Sequence, residues 1–256
     1  MLQLQGYNAQ KVSFSKTIHV KQIGHAHLHL DAWNEDYIIT LPALHIEGLI
    51  FGNPFVELGK TSYISSSSGF VSEIEYAGKG WMSGKKNSFN ARLYRAGHEK
   101  DTLYSASGQW NESFTLSEGS KKGGNVIETF SHTQHKTTPL TVAPLDQQDP
   151  LEAHRAWKNV IEGIKKGDMD MVHKEKSKIE MAQREFRKRE QQENREWQRA
   201  FFTRAKAEPI FEKLAKALPG EKLEADRTDG VWIFDTQKAQ TAKPPYGQGN
   251  VSTTAA

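Results

Sequence analysis

Apolar and polar residues alternate along the first half of this chain, with glycines punctuating the alternation. The segments 16–30, 37–41, 44–51, 62–66, 70–76, 89–95 and 102–110 each show the period of two that marks a half-buried strand. Leu2, Leu4, Gly6 and Asn8 continue the same pattern at the start of the chain. Gly52, Gly59, Gly69, Gly78, Gly84 and Gly97 fall between these runs or at their ends, where antiparallel turns need them. Many short strands with no helical period between them predict an antiparallel meander, either a barrel or a strongly curved sheet.

The pattern changes after residue 130. Residues 131–148 are polar and proline-bearing and read as a connector. Asp149 can cap a helix, Pro150 suits its first position, Glu152 completes a capping box and Gly167 should end it. A second helix is expected from about Asp170 to Arg204, with Ile179, Ala182, Phe186, Trp197 and Phe201 as an apolar stripe able to dock on the sheet. From Gln237 the period vanishes, which predicts a disordered tail. The expected organisation is therefore a β portion at 1–130, a connector and C-terminal helices of the same domain at 131–236, and a tail at 237–256.

Sorting the strands by face exposes two polar residues in apolar company. Asn8 is the one polar member of the set Leu2, Leu4, Gly6, Asn8. Gln22 shares its face with Ile18, Val20, Gly24, Ala26, Leu28 and Leu30. A buried amide must be satisfied, either by backbone or water or by a mostly apolar ligand that offers one polar group. The opposite face of 16–30 carries Thr17, His19, Lys21, His25, His27 and His29, and reads as the solvent side. Histidines at spacing two can ligate a metal, but in that company they are expected to be exposed strand residues, and no metal is expected.

Charge and composition narrow the chemistry. The chain has no cysteine, which excludes disulfides and thiolate metal sites and fits a reducing compartment. Its start lacks the features of a signal peptide, and no apolar run approaches the ~18 residues of a spanning helix. A soluble protein with at most peripheral membrane contact is expected. The net charge of +3 is carried entirely by residues 168–206, where eleven Lys/Arg face eight Asp/Glu, so any anionic partner should meet that segment. Lys176, Glu180 and Arg184 stand there at i, i+4 and i+8, on one helical stripe. The even mixture of Glu with Arg in 184–199 speaks against nucleic acid. "GKGWMSGKKNS" (78–88) fails as a phosphate loop, because Lys79 and Lys86 stand where the first glycine and the Ser/Thr would be. No nucleophile elbow or zinc-protease helix motif occurs, and no enzyme is expected.

The segments "LQGYNAQKVSFSKTIHVKQIGH", "ITLPALHIEGLIFGNPFVELGKTSYISSSSGF", "GKGWMSGKKNSF", "PLEAHRAWKNV" and "EKSKIEMAQREFRKRE", in that order, resemble the oxysterol-binding-protein-related lipid-transfer domain over about residues 2–204. The resemblance implies an incomplete antiparallel barrel around a lipid tunnel followed by α-helices. It implies non-enzymatic, cofactor-free binding and transfer of a sterol or other lipid and of phosphatidylinositol 4-phosphate, in the cytoplasm and at the surface of intracellular membranes. In sterol-binding members an Asn and a Gln at the "GYN" and "VKQ" positions reach the sterol hydroxyl through water; these match Asn8 and Gln22. A Lys, a Glu and an Arg on the later helix hold the inositol phosphate headgroup; these match Lys176, Glu180 and Arg184. The family's lid, first strands and paired-histidine "EQVSHHPP" segment are not in this sequence, so a shortened form is expected. The alternative is a fragment without transport activity that acts as a peripheral membrane or interaction module.

Overall fold

In the computed structural model, residues 2–15, 17–50, 52–78, 85–120, 124–195, 199–218, 230–243 and 246 are described. The chain divides into two compact units, Met1–Thr137 with Arg204–Ile233, and Thr138–Thr203 with Phe234–Ala256.

The first unit is built on one eleven-stranded antiparallel sheet. In chain order its strands are β1 (Leu2–Phe14), β2 (Ile18–Leu30), β3 (Glu35–Thr40), β4 (Ala43–Glu47), β5 (Phe55–Gly59), β6 (Thr61–Ser66), β7 (Phe70–Ala77), β8 (Ser88–Arg95), β9 (Tyr104–Gln109), β10 (Ser113–Glu118) and β11 (Val126–Ser131). The path runs β11-β10-β9-β8-β7-β6-β3-β2-β4-β5, and β1 lies against the other edge of β2. The sheet does not close on itself among the described residues, as an incomplete barrel requires. The expected strands are all present. β5, β10 and β11 are additional; β5 and β11 lack a clean alternation, whereas β10 (Ser113–Glu118) shows it over six residues.

β2 organises the sheet. One edge pairs with β1 over its whole length, in the register Leu2–Leu30 to Phe14–Ile18. The other edge pairs with β3 from His25 to Leu30 and with β4 from Ile18 to Val20. Gly24 stands at the change of partner with φ +123, and a Cβ there would lie 1.9 Å from the Tyr7 carbonyl oxygen, so only glycine fits.

The register continues each face across the sheet. On one, called here the leucine face, lie Leu2, Leu4, Val12 and Phe14 of β1 and Leu28 and Leu30 of β2. Ile39, Ile64, Ile74, Leu93, Phe114 and Phe130 follow on the later strands. The other, the histidine face, carries His25, His27 and His29, then Ile38, Tyr63, Val71 and Tyr94.

The buried core lies on the histidine face, contrary to its expected role as the solvent side. After β12 (Phe202–Ala205) the chain forms α4 (Pro209–Leu214) and a further turn to Leu218. Phe211 and Leu214 bury Ile38, and Leu218 joins Tyr63, Val71 and Tyr94. Ser65 Oγ donates to the Leu214 carbonyl at 3.0 Å and fixes the seating. Each such apolar side chain is worth about 1.5–3 kcal/mol when buried. "EPIFEKL" (208–214) carries a helix start, with Pro209 at the first position.

In the second unit α1 (Ala153–Ala156) and α2 (Lys158–Lys166) replace the single expected helix, separated at Trp157. The capping-box hydrogen bonds form, the Asp149 N–H donating to Glu152 Oε1 at 2.7 Å and Asp149 Oδ1 accepting from the Leu151 N–H at 2.9 Å, but α1 begins only at Ala153 with Glu152 at its cap, so Asp149 and Pro150 precede the helix they were expected to open. Gly167 ends α2 in the left-handed conformation. α3 (Met169–Gln192) is capped by Asp168, which accepts from the Met171 N–H. It packs on α2 where Gly163 lets Val172 come close; a Cβ at Gly163 would meet it at 3.0 Å. α3 is shorter than expected, because Asn194 turns left-handed with φ 46 and the chain then enters β12. Its expected stripe therefore breaks: Ile179 and Phe186 are half-buried, Ala182 is exposed, Phe201 lies beyond the helix, and Trp197 is outside the described residues. β13 (Val231–Phe234) pairs with β12. α5 (Thr236–Thr241) then occupies part of the segment expected to be a disordered tail, where Asp235 caps it by accepting from the Lys238 N–H. The remainder of that tail, apart from Ala242, Lys243 and Tyr246, lies outside the described residues, as do residues 79–84 of the candidate phosphate loop.

Candidate functional site

On the leucine face the sheet brings Asn8 and Gln22 together. Asn8 stands opposite Gly24, and Gln22 lies one step along β2 on the same face. Asn8 Nδ2 donates to Gln22 Oε1 at 2.9 Å, and Gln22 Nε2 donates to the Pro42 carbonyl at 2.8 Å. Gln22 thus bridges the gap between the end of β3 and the start of β4, where β2 changes partner. Asn8 is exposed and Gln22 half-buried, so neither sits in a packed core. They form a polar spot in an apolar field: Leu2, Leu4, Val12 and Phe14 on the same face remain 60–75% exposed. Among the described residues no buried hydrophobic cluster forms on this face, both clusters belonging to the other. An amide carries two donors and two acceptor lone pairs, so the pair keeps capacity for a hydroxyl or a bridging water after its mutual bond is made.

Phe89, Phe114 and Phe130 extend the apolar field, edge-on at 5.7 Å and then stacked at 5.2 Å.

In the second unit Lys176, Glu180 and Arg184 fall on one exposed stripe of α3. Lys176 Nζ lies 3.5 Å from Glu180 Oε1, an exposed pair of the kind worth under about 1 kcal/mol. The triad is open to solvent and free of any buried partner, so it can reorganise around an anionic group.

Sequence reasoning missed a third constellation. Glu208, buried just ahead of α4, reaches two histidines of β2: its Oε2 lies 2.6 Å from His25 Nε2 and its Oε1 2.9 Å from His27 Nδ1. His27 Nε2 continues to Asp36 Oδ1 at 2.8 Å, which also meets His29 Nδ1 at 2.8 Å. The His25 ring is fully buried, stacked on Phe211 at 4.1 Å and tilted against Tyr7 at 4.9 Å. The Tyr7 hydroxyl donates to Gln5 at 2.9 Å, and burial with the nearby Glu208 charge pushes its pKa up. Burial would raise the Glu208 carboxyl, but hydrogen bonds from His25 and His27 outweigh it and hold the pKa at about 2. The hydrogen bond to Glu208, opposed by burial and helped by Asp36, raises the His27 pKa. With a carboxylate on each ring nitrogen, His27 can donate from both only as the imidazolium, the form these two carboxylates favour. Among the described residues no group of three or more His, Asp or Glu is arranged to hold a metal. No described helix is long and apolar enough to cross a membrane.

The sequence model of the oxysterol-binding protein family matches residues 2–163. Protein kes1 of Schizosaccharomyces pombe is 40% identical over 219 residues, which cover 85% of this chain and 56% of that protein. The probable transporter efuK of Hormonema carpetanum is 38% identical over 245 residues, covering 94% of this chain and 35% of that one. The fold is similar to that of the Osh1 ORD domain solved with cholesterol, with a TM-score of 0.67, 17% identity and coverage of 93% of this chain and 59% of that one. It is also similar to the Saccharomyces cerevisiae Osh3 ORD solved with PI(4)P, with a TM-score of 0.60, 18% identity and coverage of 80% and 56%. The chain thus spans between about a third and three-fifths of these proteins.

Proposed function

This chain belongs to the oxysterol-binding protein family, and from that premise we propose that it binds a sterol and phosphatidylinositol 4-phosphate and moves lipid between membranes without making or breaking a bond. The observation that carries the reading is the hydrogen-bonded Asn8–Gln22 pair, with Gln10 opposite Gln22, on a mainly apolar sheet face that holds no buried core cluster among the described residues. A sterol has the matching form: a rigid apolar body with one hydroxyl. The body covers the leucine face, and the hydroxyl meets the amides directly or through water. Lys176 and Arg184 supply cations for phosphate oxygens, while Glu180 accepts from inositol hydroxyls and orients Arg184. The setting is cytoplasmic, and contact with anionic membranes peripheral.

The test is equilibrium binding to vesicles that carry a fluorescent sterol, phosphatidylinositol 4-phosphate or neither. The parent chain should take up sterol and be retained by the phosphoinositide vesicles. Lys176→Ala with Arg184→Ala should abolish most of that retention and spare sterol uptake. Retention without sterol uptake would favour a peripheral surface module over a carrier, and a double variant that binds as the parent does would remove the headgroup assignment.

A further inference from the structure

α2 and α3 form a helical hairpin across Gly167 and Asp168. Their contacts run in opposite chain directions, as in an antiparallel pair: Gly163 lies against Val172, and Asn159 Nδ2 donates to Glu175 Oε2 at 3.1 Å. Asn159 and Gly163 thus mark the side of α2 that meets α3, and Val172 and Glu175 the side of α3 that meets α2. Trp157, Ile161 and Ile164, at i, i+4 and i+7, form one apolar stripe less than half a turn forward of the packed side of α2. Lys176, Glu180 and Arg184 lie less than half a turn forward of the packed side of α3. Forward rotation on two antiparallel helices leads to the same side of the pair, so the stripe and the triad share one face. Met169, seven residues before Lys176, joins that face. Its apolar members are in water: Trp157 is 38%, Met169 58% and Ile164 61% exposed.

We infer that this face of the α2–α3 hairpin is a membrane-docking surface, whose apolar stripe enters the interface of an anionic bilayer while the flanking cations meet lipid phosphates. The inference rests on the peripheral membrane contact proposed above and adds the surface that makes it. Charge selects the occupant. Lys158 and Lys165 each follow a stripe residue by one position and border it on one edge; Lys176 and Arg184 border it on the other. The far side of the hairpin pairs its cations internally, Lys166 with Glu162 at 2.7 Å and Lys178 with Glu175 at 2.6 Å. Tryptophan seats where acyl chains meet headgroups, and isoleucine and methionine reach below it.

The chain has no cysteine, so one introduced thiol can carry a single polarity-sensitive nitrobenzoxadiazole label. The label on Ile164→Cys should brighten and shift to the blue on phosphatidylcholine vesicles containing phosphatidylserine. On Glu185→Cys, exposed on the far side of α3, it should not change. Ile164→Glu with Met169→Glu should lower partition onto those vesicles about tenfold and spare sterol uptake, since it sets two anions against an anionic surface. A label at 164 that stays wet while the protein is retained by phosphatidylinositol 4-phosphate vesicles would overturn the docking face and leave the headgroup reading standing. Equal shifts at 164 and 185 would overturn it too. So would a blue shift at 164 that grows with protein concentration in the absence of lipid, because a protein surface would then be the cover. A parent retained by neither kind of vesicle would remove both the docking face and the membrane reading beneath it.

Discussion

On the histidine face, Phe211, Leu214 and Leu218 arrive from far along the chain and bury Ile38, Tyr63, Val71 and Tyr94. On the leucine face, a longer row of apolar residues receives no such cover from the described residues and stays half-buried or exposed. The same sheet thus has one face committed to its own stability and one with its apolar surface uncommitted. Hydrophobicity of the strand residues did not decide which: the face with three histidines became the core side. What decided it was a carboxylate, Glu208, able to satisfy two of those histidines as the helix behind it closed over them.

The largest way to break this comparison is to remove the cover. Phe211→Ala should cost about 4 kcal/mol, since it opens a cavity against His25 and Ile38. Tyr104→Ala on the leucine face should cost about 1 kcal/mol, because the ring is already 40% exposed. Urea denaturation of the two variants side by side measures the difference; equal losses would mean the faces are not distinct.

Glu208→Ala should cost about 3 kcal/mol, by leaving a fully buried histidine without its partner. The same network gives the histidine face a pH dependence. The His27 pKa is raised in the folded state, so its contribution is full below the ordinary value of about 6.5 and fades as pH rises through the folded value. The Glu208 pKa is lowered to about 2, so its contribution is present above the ordinary value of about 4.5 and is lost as pH falls towards 2. Denaturation midpoints should therefore fall on the alkaline side in the parent, and His27→Gln should flatten that limb.

The smallest effect sharpens the leucine face. Gln22→Leu should weaken sterol binding by about 1 kcal/mol, the worth of one neutral hydrogen bond, and leave retention by phosphoinositide vesicles unchanged. Titration of a fluorescent sterol reads it directly.

Much of this was legible in the residues. The alternation located eight of the eleven sheet strands, Gly167 marked the helix stop where it stands, and the Asp149–Glu152 pair lay within three residues of the start at Ala153. The face sorting singled out Asn8 and Gln22, which the sheet does bring into contact. What it misjudged was the far side of the same strand. His25, His27 and His29 read as solvent-facing because alternation reports polarity, whereas here Glu208 satisfies His25 and His27 on the buried side. That carboxylate stands at position 208, and no local pattern ties the two positions. The split at Trp157 was invisible because tryptophan is ordinary in helices and it is its backbone conformation that interrupts the run; Asn194, by contrast, is a residue type that enters the left-handed conformation readily, a stop signal outweighed by the charged residues around it.

The bond between His25 and Glu208 joins positions 183 residues apart. While the chain is being made, at about 5–20 residues per second, that interval lasts roughly 10–40 s. For all of it the hairpin of β1 and β2 is complete in sequence, yet its histidines have no carboxylate from position 208 and its core has no lid. A ribosome that slows anywhere between codons 30 and 208 lengthens that wait. The nascent sheet then leans on whatever holds exposed chains apart in the cell, so the yield of folded protein should follow the pace of translation as well as the final stability.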